Sequence, residues 1–313
     1  MKIALLFPGQ GSQTVGMGKE LASQFPAAKA VFDEVDSALS QKLSTIIFEG
    51  PQETLTLTEN AQPAIMATSI AALRVMQQEL GFDVAKEAAF VAGHSLGEYS
   101  ALCAAGVLSL SDTARLLKLR GQSMQQAVPQ GQGAMAALIG ADLPQAEMVA
   151  KEAAQGEVCT VANDNAPGQV VISGHKAAID RAIVIAKEQG IKRALLLEVS
   201  APFHCPLMAP AASVMKEALA KVNFAAPCAA VVANVIAAAE SNPDKLRELL
   251  VQQVTGVVRW RESIHYLKAQ GVTKAIEIGA GKVLSGMVKR IEPEIECSNI
   301  GVPADLTSMI KAA

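Results

Sequence analysis

The feature that most constrains this chain is a glycine-flanked serine placed directly behind a short apolar run. The run is Ala88–Ala92, and the sequence Gly-His-Ser-Leu-Gly follows at 93–97. A buried strand, a sharp G-x-S-x-G turn and a helix in this order form a nucleophile elbow. Glycines flank the serine because a Cβ at either position would crowd the backbone or the following helix. The pattern predicts Ser95 as an exposed nucleophile; the alternative is a turn that merely joins strand to helix.

Composition excludes several classes of protein. The chain has 313 residues, half of them hydrophobic and only 18% charged, which fits one large or two modest domains with a sizeable core. A net charge of −3 gives no basic excess for general nucleic-acid binding. The apolar stretch around 225–239 is broken by Pro227 and Asn234, and the apolar run near the first residue is too short for a secretory leader.

The cysteines indicate a reducing compartment. There are five, an odd number, and no two of them form a C-x-x-C pair. This pattern favours free thiols over a disulfide framework or a zinc site. We therefore expect a cytoplasmic protein without a metal.

The order of the predicted elements indicates two folding units. Strands alternate with helices before residue 130 and after residue 200, which favours a mostly parallel sheet covered on both faces. Between them the pattern is β-α-β-β-α-β, with a turn at Asn165–Gly168 joining the middle strands. We predict an α/β fold: a hydrolase-like large domain with a mostly parallel sheet and nucleophile elbow (1–129 and 201–313), plus an inserted small ferredoxin-like subdomain (130–200).

Individual elements follow from the apolar periodicity. A helix is predicted near 17–40, and another at about 62–80 with Pro63 in its first turn. The elbow helix is predicted over 98–108. The last strand of the insert is predicted over 192–199.

A serine hydroxyl needs a base within hydrogen-bond reach, and the chain has four histidines. His94 adjoins the serine and should point away from it, while His175 and His265 have the character of a helix cap and a surface residue. His204 lies in a proline-bracketed loop between a strand and a helix, so it is the base by elimination. No acid between Ser95 and His204 is placed to orient the histidine. Either a backbone carbonyl or an amide side chain does so, or the base is another residue.

Two further groups complete a possible acyl-transfer site. An oxyanion hole needs two converging N–H groups; Leu96 supplies one, and the glycine loop 9–11 is the natural source of the second. Arg120 offers a planar fork that suits an acyl group with a free carboxylate. The alternative is that Arg115, Lys118 and Arg120 form a solvated helix face. The glycine loop at 279–282 lacks the spacing of a phosphate loop.

Four separated motifs carry a family resemblance. Phe7–Gln13, Gly93–Tyr99, Leu119–Gly121 and Ala201–His204 occur in this order, with the insert between the last two. Together they resemble the bacterial malonyl-CoA:acyl-carrier-protein transacylases, and the match covers essentially the full length.

This resemblance implies a ping-pong transfer that supplies fatty acid synthesis. Ser95 would take malonyl from malonyl-CoA and pass it to the phosphopantetheine thiol of acyl carrier protein, while Arg120 would pair with the malonyl carboxylate. Malonyl-CoA is then a substrate, so no cofactor is expected. Nucleic acid and membrane are not expected as partners, and a monomer is expected.

The resemblance also implies roles for the surrounding groups. His204 would act as base and then acid, and the backbone amides of Gln10 and Leu96 would hold the oxyanion. A main-chain carbonyl and a glutamine would orient the histidine. The matching glutamine is Gln253, and its neighbour Gln252 stays open as an alternative.

Other functions remain open at this point. A serine thioesterase or esterase on the same scaffold would pass the acyl group to water, and a malonyl transferase of a polyketide or malonate decarboxylase system would differ in its carrier. A non-catalytic carrier-docking module would need a lost nucleophile or base. Because carrier proteins of this type are acidic, basic residues are expected near the cleft: Lys192, Arg193, Lys282, Lys289 and Arg290.

Overall fold

The computed structural model describes residues 2–306. Its strands are β1 (Lys2–Phe7), β2 (Ala88–Gly93), β3 (Gly133–Ile139), β4 (Cys159–Ala166), β5 (Gln169–His175), β6 (Arg193–Leu196), β7 (Ala230–Ala233), β8 (Ala238–Glu240), β9 (Val272–Ile278) and β10 (Glu296–Ile300). Its helices are α1 (Lys19–Gln24), α2 (Pro26–Leu39), α3 (Leu43–Glu49), α4 (Gln52–Thr56), α5 (Thr58–Leu80), α6 (Val84–Glu87), α7 (Gly97–Ala104), α8 (Leu110–Gln126), α9 (Leu143–Ala154), α10 (Lys176–Glu188), α11 (Ala209–Leu219), α12 (Pro243–Gln253), α13 (Trp260–Ala269) and α14 (Val283–Ile291), with a 3₁₀ turn at Pro206–Met208.

The larger sheet has six strands in the order β10-β9-β1-β2-β7-β8. Only the β7–β8 pair is antiparallel. Alternate residues of the central strand β1 enter different cores: Leu5 and Phe7 pack on one face, Ala4 and Leu6 on the other. The loops that follow β1 and β2 therefore meet at the carboxyl edge of the sheet, where open α/β sheets place their sites.

The smaller sheet has the order β4-β5-β3-β6, and all its neighbouring strands are antiparallel. With α9 and α10 this is the ferredoxin-like arrangement, so the predicted fold class is confirmed. Ala136 and Leu138 of β3 pack on these helices, whereas Met135 and Ala137 join the core of the larger unit. Both faces of the small sheet are thus covered.

The exact division into 1–129 with 201–313 and 130–200 stays a prediction. Met1 and residues 307–313, which belong to that division, lie outside the described residues. The final strand of the insert is shorter than predicted and ends at Leu196, after which the chain turns toward the site.

The predicted helix 17–40 is wrong, because it is two helices. Phe25 is extended between them, with φ −124°, and Pro26 starts α2, where its missing N–H costs nothing. The predicted start of α5 is also wrong. The helix begins at Thr58, so Pro63 lies inside it. Its first turn packs closely against α8, since a Cβ on Gly121 would lie only 2.5 Å from the Glu59 Cα.

No helix within residues 2–306 combines the length and apolar character that crossing a membrane requires. All five cysteines are free thiols. In the same described range, no three metal-ligating side chains lie together.

Candidate active site

The turn after β2 holds Ser95 in a strained conformation. Its φ is +53°, a region that non-glycine residues seldom adopt. A Cβ on Gly93 would lie 1.9 Å from the Gly97 carbonyl carbon, and a Cβ on Gly97 would lie 2.2 Å from the Phe7 carbonyl oxygen. The helix after the turn can approach β1 this closely only because both positions are glycine.

His204 lies beside this serine. Its Nε2 is 2.7 Å from Ser95 Oγ, although the two residues are 109 positions apart. The Nδ1 atom faces two main-chain carbonyl oxygens, that of Gln253 at 2.9 Å and that of Gly256 at 3.2 Å. Carbonyl oxygens only accept, so Nδ1 carries the proton and Nε2 is left to accept from the serine hydroxyl.

The surroundings keep His204 neutral. Burial, and then the positive charge of Arg120, lower the pKa of His204 to about 3. Desolvation disfavours the imidazolium, and a nearby cation disfavours it further. The imidazole therefore keeps its Nε2 lone pair, which is the form that a general base requires.

The side chain of Gln253 connects the groups around the serine. It is fully buried. Its Nε2 donates to the Ser95 carbonyl oxygen at 3.0 Å, and its Oε1 accepts from Arg120 at 3.0 Å. Gln252 is exposed, and its carbonyl accepts from Gly256. Of the two glutamines left open by the sequence, the structure brings Gln253 to the histidine.

Arg120 is a buried guanidinium, 1% exposed, rather than part of a solvated helix face. It donates to Ser95 Oγ at 3.1 Å, to Gln253 Oε1 and to Gln62 Oε1 at 2.8 Å. The Tyr99 ring lies 5.6 Å from its Cζ, which is within cation–π range. Within residues 2–306, all its hydrogen-bond acceptors are uncharged. A desolvated cation held by neutral groups favours an anionic ligand.

Two residues that sequence reasoning missed support the elbow from below. Asn234, which directly follows β7, accepts the Ser95 N–H at 2.8 Å and donates to the Gly93 carbonyl at 2.7 Å. Glu98, in the first turn of α7, accepts from the Asn234 N–H at 2.9 Å and from Gln253 Nε2 at 2.8 Å. Burial raises the pKa of Glu98 to about 7.

The amides proposed for the oxyanion are unengaged. Within the described chain, neither the Gln10 N–H nor the Leu96 N–H donates to a protein acceptor. The Ser95 N–H already donates to Asn234 Oδ1. The next N–H group at the start of α7 is that of Leu96. Gln10 lies on the loop after β1 and lines the same cavity as Ser95, and Leu96 directly follows the nucleophile, so both unengaged amides are candidates for an oxyanion hole.

These groups open into a cavity of about 720 Å³. Its walls combine the loops after β1 and β2 with the small sheet and with α14. The polar residues that line it include Gln10, Ser95, Arg120, Asn163, Asn165 and His204. The cavity therefore lies between the two sheets, with the serine on its wall.

The other histidines have different surroundings. The Nε2 of His94 is 2.7 Å from Asn165 Oδ1, and its ring lies 5.6 Å from that of Trp260. His175 precedes α10 and accepts from the Val158 N–H. His265 is exposed and pairs with Glu292. None of the three lies at hydrogen-bond distance from Ser95 Oγ in the described structure.

The basic residues expected near the cleft are all exposed: Lys192, Arg193, Lys282, Lys289 and Arg290. Arg290 already donates to Gln169 Oε1 and to the Pro167 carbonyl, each at 2.8 Å. It therefore ties α14 to the β4–β5 hairpin. Lys282 immediately precedes Val283, which lines the cavity.

Comparisons with known proteins show the family of this chain. The acyl transferase domain family matches residues 4–297. The malonyl CoA-acyl carrier protein transacylase of Escherichia coli K12 is 46% identical over 99% of both chains. That of Bacillus subtilis strain 168 is 48% identical over 99% of this chain and 96% of its own.

Solved structures give the same result. The acyl-carrier-protein-S-malonyltransferase of Bartonella henselae superposes with a TM-score of 0.97 at 55% identity, covering 100% of this chain and 99% of its own. A malonyl-transacylase in complex with its type II PKS acyl-carrier protein has a TM-score of 0.96 at 42% identity, over 100% of both chains. The chain belongs to the acyl transferase domain family, among the malonyl CoA-acyl carrier protein transacylases.

Proposed function

We propose that this protein transfers malonyl from malonyl-CoA to the phosphopantetheine thiol of an acyl carrier protein, through a malonyl ester on Ser95. The main support is the convergence of three groups on one oxygen. Ser95 Oγ has a neutral imidazole at 2.7 Å and a guanidinium at 3.1 Å. A nucleophile, a base and a carboxylate-binding group thus share one end of the cavity.

In the first half-reaction, Ser95 Oγ attacks the thioester carbonyl while its proton moves to His204 Nε2. The Nδ1–H of the same ring stays hydrogen-bonded to the Gln253 and Gly256 carbonyls, which stabilises the imidazolium. The amides of Gln10 and Leu96 hold the oxyanion. When the C–S bond breaks, the imidazolium returns its proton to the coenzyme A thiolate.

In the second half-reaction, the thiol of the carrier arm gives its proton to His204 and attacks the malonyl ester. Collapse of the tetrahedral intermediate returns the proton to Ser95 Oγ, which restores the enzyme. Throughout, Arg120 pairs with the malonyl carboxylate. Because this cation is desolvated and otherwise bound only by neutral groups, the pairing favours malonyl over uncharged acyl groups.

The chain's own groups supply every proton transfer in this scheme, so we propose a reaction without a cofactor. Lys282, which is exposed and immediately precedes the cavity-lining Val283, suits an acidic carrier. We further propose that the protein acts in fatty acid synthesis as a monomer in the cytoplasm, consistent with its free thiols.

Intact mass spectrometry after incubation with malonyl-CoA tests the proposal. A malonyl adduct should appear, map to the peptide that contains Ser95, and disappear when holo-carrier protein is added. Ser95→Ala should give no adduct. Release of coenzyme A at the same rate with and without carrier would instead indicate a hydrolase.

A further inference from the structure

We infer that Asn234 is a positioning residue for the acyl transfer: its side-chain amide replaces a main-chain peptide group of the sheet and holds Ser95 in the strained turn. The inference deepens the proposed function and rests on it in taking Ser95 as the nucleophile. Asn234 is 1% exposed and, in the described structure, does not line the cavity. It therefore acts on the reaction through Ser95 and not through the substrate.

The position of Asn234 follows from the pairing of β2 with β7. The two strands run parallel, with Ala92 opposite Val232, so the same register places Asn234 opposite His94. The His94 N–H points the other way and donates to the Phe7 carbonyl of β1 at 3.0 Å. The peptide groups on either side of His94 therefore face β7. In a parallel ladder the main chain of the facing residue would bond both of them.

The side chain of Asn234 makes these two bonds in place of its main chain. Its Oδ1 accepts the Ser95 N–H at 2.8 Å, and its Nδ2 donates to the Gly93 carbonyl at 2.7 Å. An asparagine amide presents a carbonyl acceptor and N–H donors, as the main chain does. Because the side chain reaches beyond the end of β7, the chain can turn at Ser95 while both groups stay bonded.

The main-chain N–H of Asn234, which the ladder no longer uses, donates to Glu98 Oε2 at 2.9 Å. A buried peptide group needs such a partner. Glu98 lies in the first turn of α7, directly after the elbow. Asn234 thus bonds the elbow at three points along the chain: before the serine at Gly93, at Ser95 itself, and after it at Glu98.

Asn234 also links the serine to the segment that orients the base. Its main-chain carbonyl accepts from the Arg259 N–H at 3.1 Å. Three residues earlier, the Gly256 carbonyl accepts from His204 Nδ1 at 3.2 Å. The same stretch of backbone therefore supports Ser95, through Asn234, and the imidazole that receives its proton.

Strand β4 fixes the other side of this segment. The Asp164 N–H donates to the Val258 carbonyl at 3.0 Å, and the Val258 N–H donates to the Ala162 carbonyl at 2.9 Å. The Asp164 carboxylate pairs with Arg261 at 2.9 Å. The base of Asn234 is thus anchored to a segment that is itself held on both sides.

Two consequences for the reaction follow. A φ of +53° at Ser95 persists only where the surroundings impose it, and the bonds from Asn234 on both sides of the turn do so. Because the Ser95 N–H is already bonded, the N–H that the elbow offers to an oxyanion is that of Leu96. Without the amide, Ser95 would relax and its Oγ would leave the position 2.7 Å from His204 Nε2.

Single-turnover kinetics with malonyl-CoA test this role. Asn234→Leu keeps the volume and removes both side-chain bonds, so the rate constant for forming the malonyl-enzyme should fall about 100-fold, the effect of displacing a reacting group by about 1 Å. Calorimetry with Ser95→Ala and with Ser95→Ala/Asn234→Leu measures binding without reaction. The dissociation constant of malonyl-CoA should be the same in both, since Asn234 acts only through the serine.

Asn60→Leu is the matched control. Asn60 is also buried, at 4% exposed, and its amide donates to the Thr54 carbonyl at 2.9 Å and accepts from Lys118 at 3.0 Å. These partners lie outside the elbow, so the variant should melt earlier than wild type but form the malonyl-enzyme at the wild-type rate. A folded Asn234→Leu protein that reacts at the wild-type rate would overturn the inference, as would a loss of rate matched by an equal loss of binding.

Amide hydrogen exchange of the wild-type protein, followed by NMR, tests the geometry even if Asn234→Leu does not fold. The Ser95 amide should exchange more slowly than that of Leu96, which has no acceptor in the described chain. Equal exchange of the two amides would overturn the inference. Wild-type protein that accepts no malonyl from malonyl-CoA would instead overturn the proposed function, and it would leave the exchange result unchanged.

Discussion

The main-chain carbonyl of Gln253 accepts the Nδ1 proton of His204 at 2.9 Å. The side chain of the same glutamine donates to the Ser95 carbonyl and accepts from Arg120. A single residue thus contacts the base, the nucleophile's backbone and the carboxylate-binding group. Its two kinds of contact are separable by mutation, because a substitution removes the side chain and leaves the carbonyl.

Gln253→Ala should therefore retain an oriented histidine but loosen the serine and the arginine. We expect kcat for malonyl transfer to fall roughly 10- to 100-fold, less than the ~10²–10⁴-fold typical of losing a general base, which His204→Ala measures. Gln252→Ala, at an exposed neighbouring position, is the control and should be neutral. A loss with Gln253→Ala as large as that with His204→Ala would contradict this separation.

Arg120→Ala should change acyl preference. Leaving a carboxylate unpaired in a closed pocket costs about 2–5 kcal/mol, so malonyl transfer should fall about 30-fold or more. Transfer of acetyl, which has no carboxylate, should be unchanged or improved. Arg115→Ala, an exposed position on the same helix, is the control. Steady-state rates with malonyl and acetyl donors test this prediction. Equal losses of both activities would refute a carboxylate-binding role for Arg120.

The pH dependence of kcat/KM should lack the inflection near pH 6.5 that a histidine base of ordinary pKa produces. Burial and Arg120 lower the pKa of His204 to about 3, so the neutral base persists as the pH falls well below 6.5. We expect kcat/KM of the Glu98→Gln variant, which has no titrating carboxyl beneath the elbow, to stay level from pH 8 to about pH 5. In Arg120→Ala assayed with acetyl-CoA, the acid limb should move to higher pH, since one cause of the lowered pKa is gone. An inflection near pH 6.5 in Glu98→Gln would be contrary to this.

Glu98→Gln should change stability in a pH-dependent way. The folded-state pKa of Glu98 is raised from 4.5 to about 7. Between these values the unfolded chain has lost a proton that the folded chain retains, so the wild-type free energy of unfolding falls as the pH rises through this window. The variant lacks this effect. Its free energy of unfolding relative to wild type should increase by on the order of 3 kcal/mol between pH 4.5 and pH 8.

Urea titrations of both proteins at the two pH values measure that difference. The effect of His204 cancels in the comparison, since both proteins contain it. A difference that stays constant across the range would show that Glu98 does not titrate in this window.

The elements that the sequence predicted well are those set by local chemistry. The elbow follows from Gly93 and Gly97, whose missing side chains allow the tight turn, and the β4–β5 hairpin follows from its Asn-Ala-Pro-Gly turn. β8 and β10 escaped prediction because one is only three residues long and the other, Glu296–Ile300, is largely polar. Their pairing with longer neighbours makes them strands.

The site was predictable in part for the same reason. Ser95 stands in a local motif, and His204 emerged by elimination among four histidines. Asn234 and Glu98 did not emerge as site residues from the sequence. Glu98 lies in the first turn of a helix, which is the usual position of an exposed acid. Its burial depends on partners 136 and 155 positions away, a relationship that no local pattern contains.

The pairing of β4 with the Val258 segment affects how this protein can be recombined with its relatives. Residues 256–261 contribute a carbonyl to the catalytic imidazole at one end and Arg261 to Asp164 at the other. A chimera that takes only residues 133–196 from a relative would pair that relative's β4 with the native segment 256–261. Any change in this pairing would alter the position of the catalytic imidazole. Productive crossovers should therefore exchange 256–261 together with the insert, even though the two are far apart in the gene.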